Sequence, residues 1–488
     1  MVVKLGKKWV LSDETLPVRR SAVAGVKLKG KRVMWVGGAG DDPADSNRAF
    51  IYNVRTRRFH ETAPVPAAKH MGRFVCVGVL QDGSVVVAGG AVAGDTGSTS
   101  RLSYRYDPEA ETWRRTGDLP LRQQWLYMPT TRLRDGRLLI AGGVGEDGVA
   151  TLTGSRQAFI YDVTQTSTVA VVDPDTGVPT GATAVVRGKW DVTRRVADNT
   201  ETMLASGHVF GNSVRLKDGR VFVVGGHTFW IPDFQGGHDL SVLATGTDYF
   251  DPDTGVWTTG APLPTVVGED DRIPESHGGR TNGLGLAVLD NGKVVIAGGN
   301  SQTDGASYFD TGIGRRSILV MTVAGNPTHS TYEIAPNSIP PGTEFGGLLG
   351  DGGRNQVLCY AVPGNRVVIA GGQDTAGGDL YDTYVFKYSD RSVKRGPDMV
   401  HDTTTWALQD PGLGYPADYE AAVISTQAVS MNNSRLVFRG GTLVHGGGYD
   451  GVGDDTFPGS RYAEQLTGRS KHPAAATTGR RDRLRVGF

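Results

Sequence analysis

Ten histidines and two cysteines are scattered through a chain of 488 residues. Only one region gathers histidines with carboxylates at short range. His227 and His238 bracket one polar stretch, and Asp270, Asp271, Glu275 and His277 crowd the next. Imidazole and carboxylate together suit zinc or another divalent ion, so His227, Asp270 and His277 are the candidate metal ligands. No HxH or HxxxH spacing supports them, and adjacent aspartates in a polar loop are ordinary. Plain solvation is therefore the stronger competitor, and no resident cofactor is expected. Paired carboxylates are a second possibility, with Glu269 or Asp270 set against Asp374 or Asp402. Glycosidase chemistry needs two carboxyls ~5–9 Å apart, and a sequence with 51 acidic residues offers many chance pairs.

Aromatic residues say more. Phe229, Trp230 and Phe234 share one polar stretch, and Trp406, Tyr415 and Tyr419 share another, interleaved with Gly, Asp, Asn and Gln. Such side chains stack on sugars or anchor a protein partner. These six are the candidate ligand- or partner-binding residues. The competing role is packing of long loops against the body of the protein.

The elements that must hold these residues repeat. DGSVVVAGG at 82–90 returns as DGRLLIAGG at 135–143, DGRVFVVGG at 218–226, NGKVVIAGG at 291–299 and GNRVVIAGG at 364–372. Including Gly37-Gly38 and a less regular Gly447-Gly448, the first glycines lie 52, 53, 83, 73, 73 and 76 residues apart. The Asp-Gly and Asn-Gly pairs predict hairpins closed by primed turns, which need φ > 0. After each Gly-Gly come a connection, an aromatic strand, a DPxTG-type turn and a strand with a large residue, clearest in YRYDPEAETWRRTGDLP (104–120) and YFDPDTGVWTTGAPLP (249–264). Two hairpins per unit make a four-stranded antiparallel blade, with strands a to d. Trp113 and Trp257 fall at the same repeat position and are expected between blades.

This pattern resembles the kelch-repeat β-propellers, over about residues 5–466, and a period of about 50 residues fits that family. The resemblance implies an all-β, seven-bladed propeller, a fold that does not itself specify a function. The last unit has strands a and b in 435–447 and c in 460–466 but no d. KKWVLSDETLP (7–17) has the Trp and Leu-Pro of a d strand with nothing before it. The N-terminal strand is therefore expected to complete blade seven, leaving no long sheet edge exposed. The propeller would span 1–466. A tail at 467–488 follows, with six Lys or Arg against Asp482 alone within 468–488, expected to be a solvated tail, the alternative being an arm that orders on an acidic partner surface.

Galactose-oxidase-like copper-radical enzymes share such a body, and the resemblance raises their chemistry. That family needs a Tyr-His dipeptide and a Tyr joined to a Cys. None of the ten histidines follows a Tyr. Cys76 and Cys359 lie in innermost strands, RFVCVGVL and QVLCYAV, of blades that are not neighbours. A small apolar residue packs there, and a disulfide is not expected.

In a propeller the a–b and c–d turns share one face, and the b–c and d–a connections share the other. The long stretches 227–246, 265–283 and 401–420 are all b–c or d–a and are expected as loops crowning one face. Long loops on a rigid scaffold commonly carry binding. The stretch 172–208 is expected to extend the outer part of blade three, as either a lengthened hairpin or a loop. Lys plus Arg equals Asp plus Glu at 51 each, so no global field draws nucleic acid. No run approaches the ~18 apolar residues of a membrane span, and no leader is read at the N-terminus. The expectation is a non-enzymatic recognition or scaffold propeller, made in the cytoplasm and released within a particle such as a phage tail. Its partner would be a glycan or a protein, either in a larger assembly or as a homo-oligomer. The alternative is an oxidase, or a hydrolase or lyase acting on glycans, at the mouth of the central channel.

Overall fold

The computed structural model describes residues 9–11, 24–38, 43–66, 71–72, 75–92, 95–124, 130–145, 155–173, 178–209, 211–231, 240–243, 245–266, 280, 284–301, 313–336, 354, 357–372, 382–396, 443–446 and 463–466. The repeated apolar run before each Gly-Gly is strand b. In Val85–Ala88, Leu138–Ala141, Val221–Val224 and Val294–Ala297 every residue is buried. Strand b pairs with a and c within its blade, and neighbouring blades cover both of its faces. That is why these runs do not alternate polar with apolar, as one-sided strands do.

Among the described residues six sheets have the four-stranded a-b-c-d order. The first is Ala24–Leu28, Arg32–Val36, Ala49–Asn53 and Arg58–Glu61. The second is Cys76–Val79, Val85–Ala88, Ser103–Asp107 and Thr112–Arg115. The third is Thr131–Arg132, Leu138–Ala141, Ala158–Val172 and Pro179–Val192. The fourth is Asn212–Arg215, Val221–Val224, Thr247–Asp251 and Val256–Thr259. The fifth is Gly285–Val288, Val294–Ala297, Ile318–Thr322 and Thr331–Ile334. The sixth is Leu358–Val362, Arg366–Ala370, Thr383–Lys387 and Ser392–Arg395. The all-β propeller stands, and the expected seven blades are corrected to six. The remaining sheet has three strands: Trp9–Leu11 pairs with Ala463–Leu466, which pairs with Leu443–Gly446. The innermost strand expected near 435–441 lies outside the described residues. The last unit is also the least regular repeat, with a second Gly-Gly at Gly440-Gly441.

Turn chemistry differs from the expectation in most blades. Primed turns occur in the first and sixth blades, where Gly30 and Lys31, and Gly364 and Asn365, all have φ > 0. In the second to fifth blades only the glycine does. There Gly83 N donates to Leu80 O at 3.1 Å and Leu80 N to Ser84 O at 2.9 Å, a type I turn closed by a left-handed glycine. The aspartate acts through its side chain: Asp82 Oδ1 accepts from Ser84 N at 2.9 Å, and Asp135 and Asp218 repeat the contact.

Hydrophobic cores lie between blades, joining the first to the second, the second through the fourth, the fourth to the fifth and the fifth to the sixth. Across strands c and d an aromatic pair recurs: Tyr106 with Trp113 at 4.9 Å, Tyr161 with Trp190 at 5.1 Å and Phe250 with Trp257 at 5.0 Å. Each indole N–H donates to the preceding blade or the connection from it. Trp113 Nε1 reaches Ala63 O at 2.8 Å, Trp190 Nε1 reaches Ser103 Oγ at 3.1 Å, and Trp257 Nε1 reaches Thr193 Oγ1 at 3.1 Å. This explains the tryptophan of the repeat: it supplies apolar area and a donor at the same seam.

The insertion in blade three is a lengthened hairpin, with c and d strands of 15 and 14 residues. An irregularity between Asp162 and Thr166 bends it. Thr116 Oγ1 then donates to Arg187 O at 2.7 Å and Gly117 N to Gly188 O at 3.2 Å, fastening the hairpin to blade two.

Candidate functional site

The Gly-Gly pairs end strand b at the face that carries the b–c and d–a connections. In each of the six described pairs both glycines have φ between 62° and 98°, a conformation that strains any other residue. Space excludes a side chain as well. A Cβ on Gly225 would lie 2.3 Å from Leu284 Cδ2, and one on Gly226 would lie 2.2 Å from Val209 O. At the first glycine the next blade presses directly on the chain, and at Gly226 the connection into the fourth blade itself does. Gly226 N donates to Arg280 O at 2.8 Å, as Gly143 N does to His208 O at 2.8 Å and Gly38 N to Gly72 O at 2.9 Å.

Three of these seams carry a buried polar side chain just before strand a. In the fourth blade His208 Nδ1 lies 2.7 Å from Gly225 O and Nε2 lies 2.9 Å from Asp248 Oδ2. In the fifth, Arg280 Nη1 donates to Gly298 O at 3.1 Å and to Ser317 O at 3.0 Å, and Nη2 donates to Ser317 Oγ. In the sixth, Arg354 Nη1 donates to Gly371 O at 3.2 Å, while Nη2 lies 2.9 Å from Asp382 Oδ1. The Arg354 guanidinium also sits 5.1 Å from the Tyr384 ring centre. His208, Arg280 and Arg354 are all fully buried. Each reaches the carbonyl of its own blade's first Gly and a polar residue near the start of its own strand c. His208 and Arg280 also give their main-chain carbonyl to the previous blade. They act as latches that hold the connection entering each blade, and the main-chain bonds of His208 and Arg280 tie that connection to the previous blade.

Ser206, His208 and Asp248 invite comparison with a nucleophile, base and orienting acid. The geometry does not support it. Ser206 Oγ is 3.4 Å from His208 Nε2, and Nε2 is already engaged by Asp248. The other ring nitrogen faces a carbonyl. Serving both acceptors needs a proton on each nitrogen, which leaves neither free to take one from a serine.

Above the Gly-Gly ends the chain forms further two-stranded ribbons. They pair Ala91–Val92 with Asp95–Thr99, Gln123–Gln124 with Val144–Gly145, His227–Ile231 with Leu240–Leu243, and Asn300–Ser301 with Ile313–Gly314. The stretch 227–246, expected as a loop, thus contains a ribbon among its described residues, with Phe229 and Trp230 on its first strand. His227, at the base of that ribbon, pairs through its main chain with Val209 and is fully buried. Burial pushes its imidazole down to about 3, so it is neutral at physiological pH. Phe234, His238, Glu269, Asp270, Asp271, Glu275, His277, Asp374, Asp402, Trp406, Tyr415 and Tyr419 lie outside the described residues, as does the tail at 467–488. Among the described residues no group of three or more His, Cys, Asp or Glu is placed to hold a metal, and no helix is long and apolar enough to cross a membrane.

The residues at the two cysteines do not fit a copper-radical centre. Both are fully buried, and burial pushes each thiol up to about 12. Cys76 Sγ accepts from Thr130 Oγ1 at 3.2 Å. Cys359 fills the space left by Gly285 of the fifth blade, where a Cβ would come 2.2 Å from its sulfur.

The latch residues escaped the sequence reading. A faint signal exists, since GGRTN at 278–282 recurs as GGRNQ at 352–356, but each partner sits some 30 to 40 residues further on.

No protein-family model matches this chain, and no curated protein does. Among solved structures, a fungal alcohol oxidase of the AA5 family, described as novel, catalytically diverse and in complex with copper, matches with a TM-score of 0.53 at 12% identity, covering 96% of this chain and 77% of that one. YjhT matches with a TM-score of 0.46 at 13% identity, covering 78% of this chain and 99% of that one. At such identity the likeness is one of architecture, and this chain has the β-propeller fold it shares with the alcohol oxidase.

Proposed function

We propose that this propeller is a recognition or scaffold module that binds a glycan or a protein partner through its Gly-Gly face. A larger assembly is its setting, a phage tail or other released particle being the one the sequence reading favours. One observation carries the reading. The extra ribbons all continue from or pair at the Gly-Gly ends, whereas the a–b turns opposite are tight in all six blades. Apart from the lengthened c–d hairpin of blade three, the elaboration lies on this side, and elaboration on one side of a rigid body is how scaffolds present binding residues. The ribbon holding Phe229 and Trp230 is the best-placed part of it, and Trp406, Tyr415 and Tyr419 belong to the same proposed surface.

The test is a pair of multiple variants, each screened on a glycan array and in pull-downs against candidate assembly components. Trp230→Ala with Trp406→Ala should lose at least tenfold in affinity for whatever the parent protein binds. His227→Gln with Asp270→Asn and His277→Gln should keep that binding. The reverse pattern would transfer the site to metal or enzyme chemistry. Unaltered binding in the tryptophan variant would sink the aromatic surface altogether.

A further inference from the structure

The strongest unassigned feature lies at the opposite end of the innermost strands. Where the a strands of the first four blades run into their a–b turns, they enclose a cavity of about 320 Å³. Lys27, Lys29, Arg132 and Arg215 line it, together with an apolar wall that includes Leu28 and Leu80. Among the described residues that line it there is no aspartate or glutamate. Four cations from three blades therefore meet around a space that holds a small molecule.

Main-chain carbonyls hold three of these cations in place. Lys29 Nζ donates to Asp82 O at 3.1 Å, and Arg215 Nη1 donates to Arg132 O at 2.6 Å. Arg132 Nη1 lies 3.4 Å from Leu80 O. One turn further out, Arg134 donates to Lys217 O. A carbonyl satisfies a hydrogen bond but carries no net charge, so these contacts orient Lys29, Arg132 and Arg215 without neutralising them. The strain is visible in their acidities. Burial lowers Arg215 from its ordinary range, and the neighbouring Arg132 and Arg134 charges lower it further; burial also lowers Lys27. Like charges gathered against low-dielectric walls create a positive potential concentrated in the cavity.

We propose that this cavity is a binding site for a small multivalent oxyanion, a phosphate ester or a polycarboxylate. Arg132 and Arg215 are its principal anion contacts, and the lysines are secondary ones. Guanidinium groups suit planar or tetrahedral oxyanions because they offer paired donors. The leucine wall provides for the carbon skeleton of such a ligand. The chain's even charge balance, 51 against 51, makes this a local property rather than a general affinity for polyanions. The site faces away from the ribbons, so it is independent of the proposed recognition surface.

The test is isothermal titration of the full chain with inorganic phosphate, with pyrophosphate and with citrate, at ionic strength held constant with sodium chloride. Saturable binding near one per chain is expected for at least one of them, with a matching rise in Tm. Preference for pyrophosphate would assign the phosphate class, and preference for citrate the polycarboxylate class. Arg132→Gln with Arg215→Gln should weaken binding at least tenfold. Because those arginines also link blades, Gln81→Glu supplies a second variant. It places a carboxylate on an exposed turn residue that lines the cavity and should weaken binding at least tenfold while leaving the circular dichroism and unliganded Tm unchanged. No saturable heat with any of the three anions, or equal binding by Gln81→Glu and the parent, would overturn the proposal.

Discussion

The two ends of the same inner strands treat charge in opposite ways. At the Gly-Gly end His208 meets Asp248 and Arg354 meets Asp382, all four buried. At the a–b turn end Lys27, Lys29, Arg132 and Arg215 surround a cavity whose described lining holds no carboxylate. The first arrangement fastens the connection entering a blade to that blade's own strands. The second leaves positive charge facing open space. A buried ion pair and an unneutralised cluster differ in what a substitution must do. Breaking the first leaves a charge stranded, whereas thinning the second removes repulsion.

The largest effect is expected where backbone and space act together. Gly225→Val would strain a φ of +72° and drive its Cβ into Leu284 Cδ2 and Arg280 O, the latter a main-chain atom with no room to move. Loss of folding, or a penalty above about 4 kcal/mol in denaturant titration, is expected. Gly181→Ala is the control. Its φ is +86° but nothing lies within 4 Å of the added Cβ, so only the conformational penalty of about 1 kcal/mol remains. Equal costs at the two sites would mean that conformation alone, and not the pressure of the next blade, explains the Gly-Gly pairs.

Next come the latches. Arg354→Met should cost about 3–5 kcal/mol, because Asp382 would be left buried against an apolar side chain. Adding Asp382→Asn should recover part of that loss. Arg215→Met at the other end should leave stability nearly unchanged, since the lost carbonyl hydrogen bond is offset by relief from Arg132 and Arg134. If Arg215→Met proves as costly as Arg354→Met, the contrast between the two ends fails.

The contrast also separates what the sequence could reveal from what it could not. The b strands, the Gly-Gly pairs and the c–d aromatic pairs were legible because their signals are local and repeated. The latches were not, because His208 gains its meaning from Asp248, 40 residues on. The cation cavity was invisible for the same reason. Lys29, Arg132 and Arg215 are ordinary residues near turns until the blades bring them together. The aspartates of the Asp-Gly turns were read as backbone formers, yet they work as side-chain acceptors. The blade count erred at the last unit, where the repeat itself is weakest.

His227 gives an effect that grows with acidity. Its folded-state pKa is lowered by burial to about 3, below the ordinary 6.5. Between those values the unfolded chain binds the proton and the folded chain does not, so stability is full above pH 6.5 and falls as the pH drops. The slope approaches about 1.4 kcal/mol per pH unit, or about 2–3 kcal/mol between pH 6.5 and 4.5. His227→Gln should flatten that part of the stability profile relative to the parent. Parallel profiles would place His227 in contact with water or with a partner that accepts its proton.

The smallest effects test the tryptophans, which do one job in differently exposed seams. Trp190 and its acceptor Ser103 are both buried, whereas Trp113 is half-buried and its acceptor Ala63 is exposed. Replacing either with Phe keeps the aromatic contact to the c-strand tyrosine and removes only the indole donor and some area. At Trp190 no water reaches Ser103 Oγ to replace the lost hydrogen bond, so about 1–3 kcal/mol is expected. At Trp113 water can hydrate Ala63 O, and about 0.5–1 kcal/mol is expected. A larger loss at Trp113 than at Trp190 would mean that the indole's area, and not its hydrogen bond, is what the repeat preserves at this position.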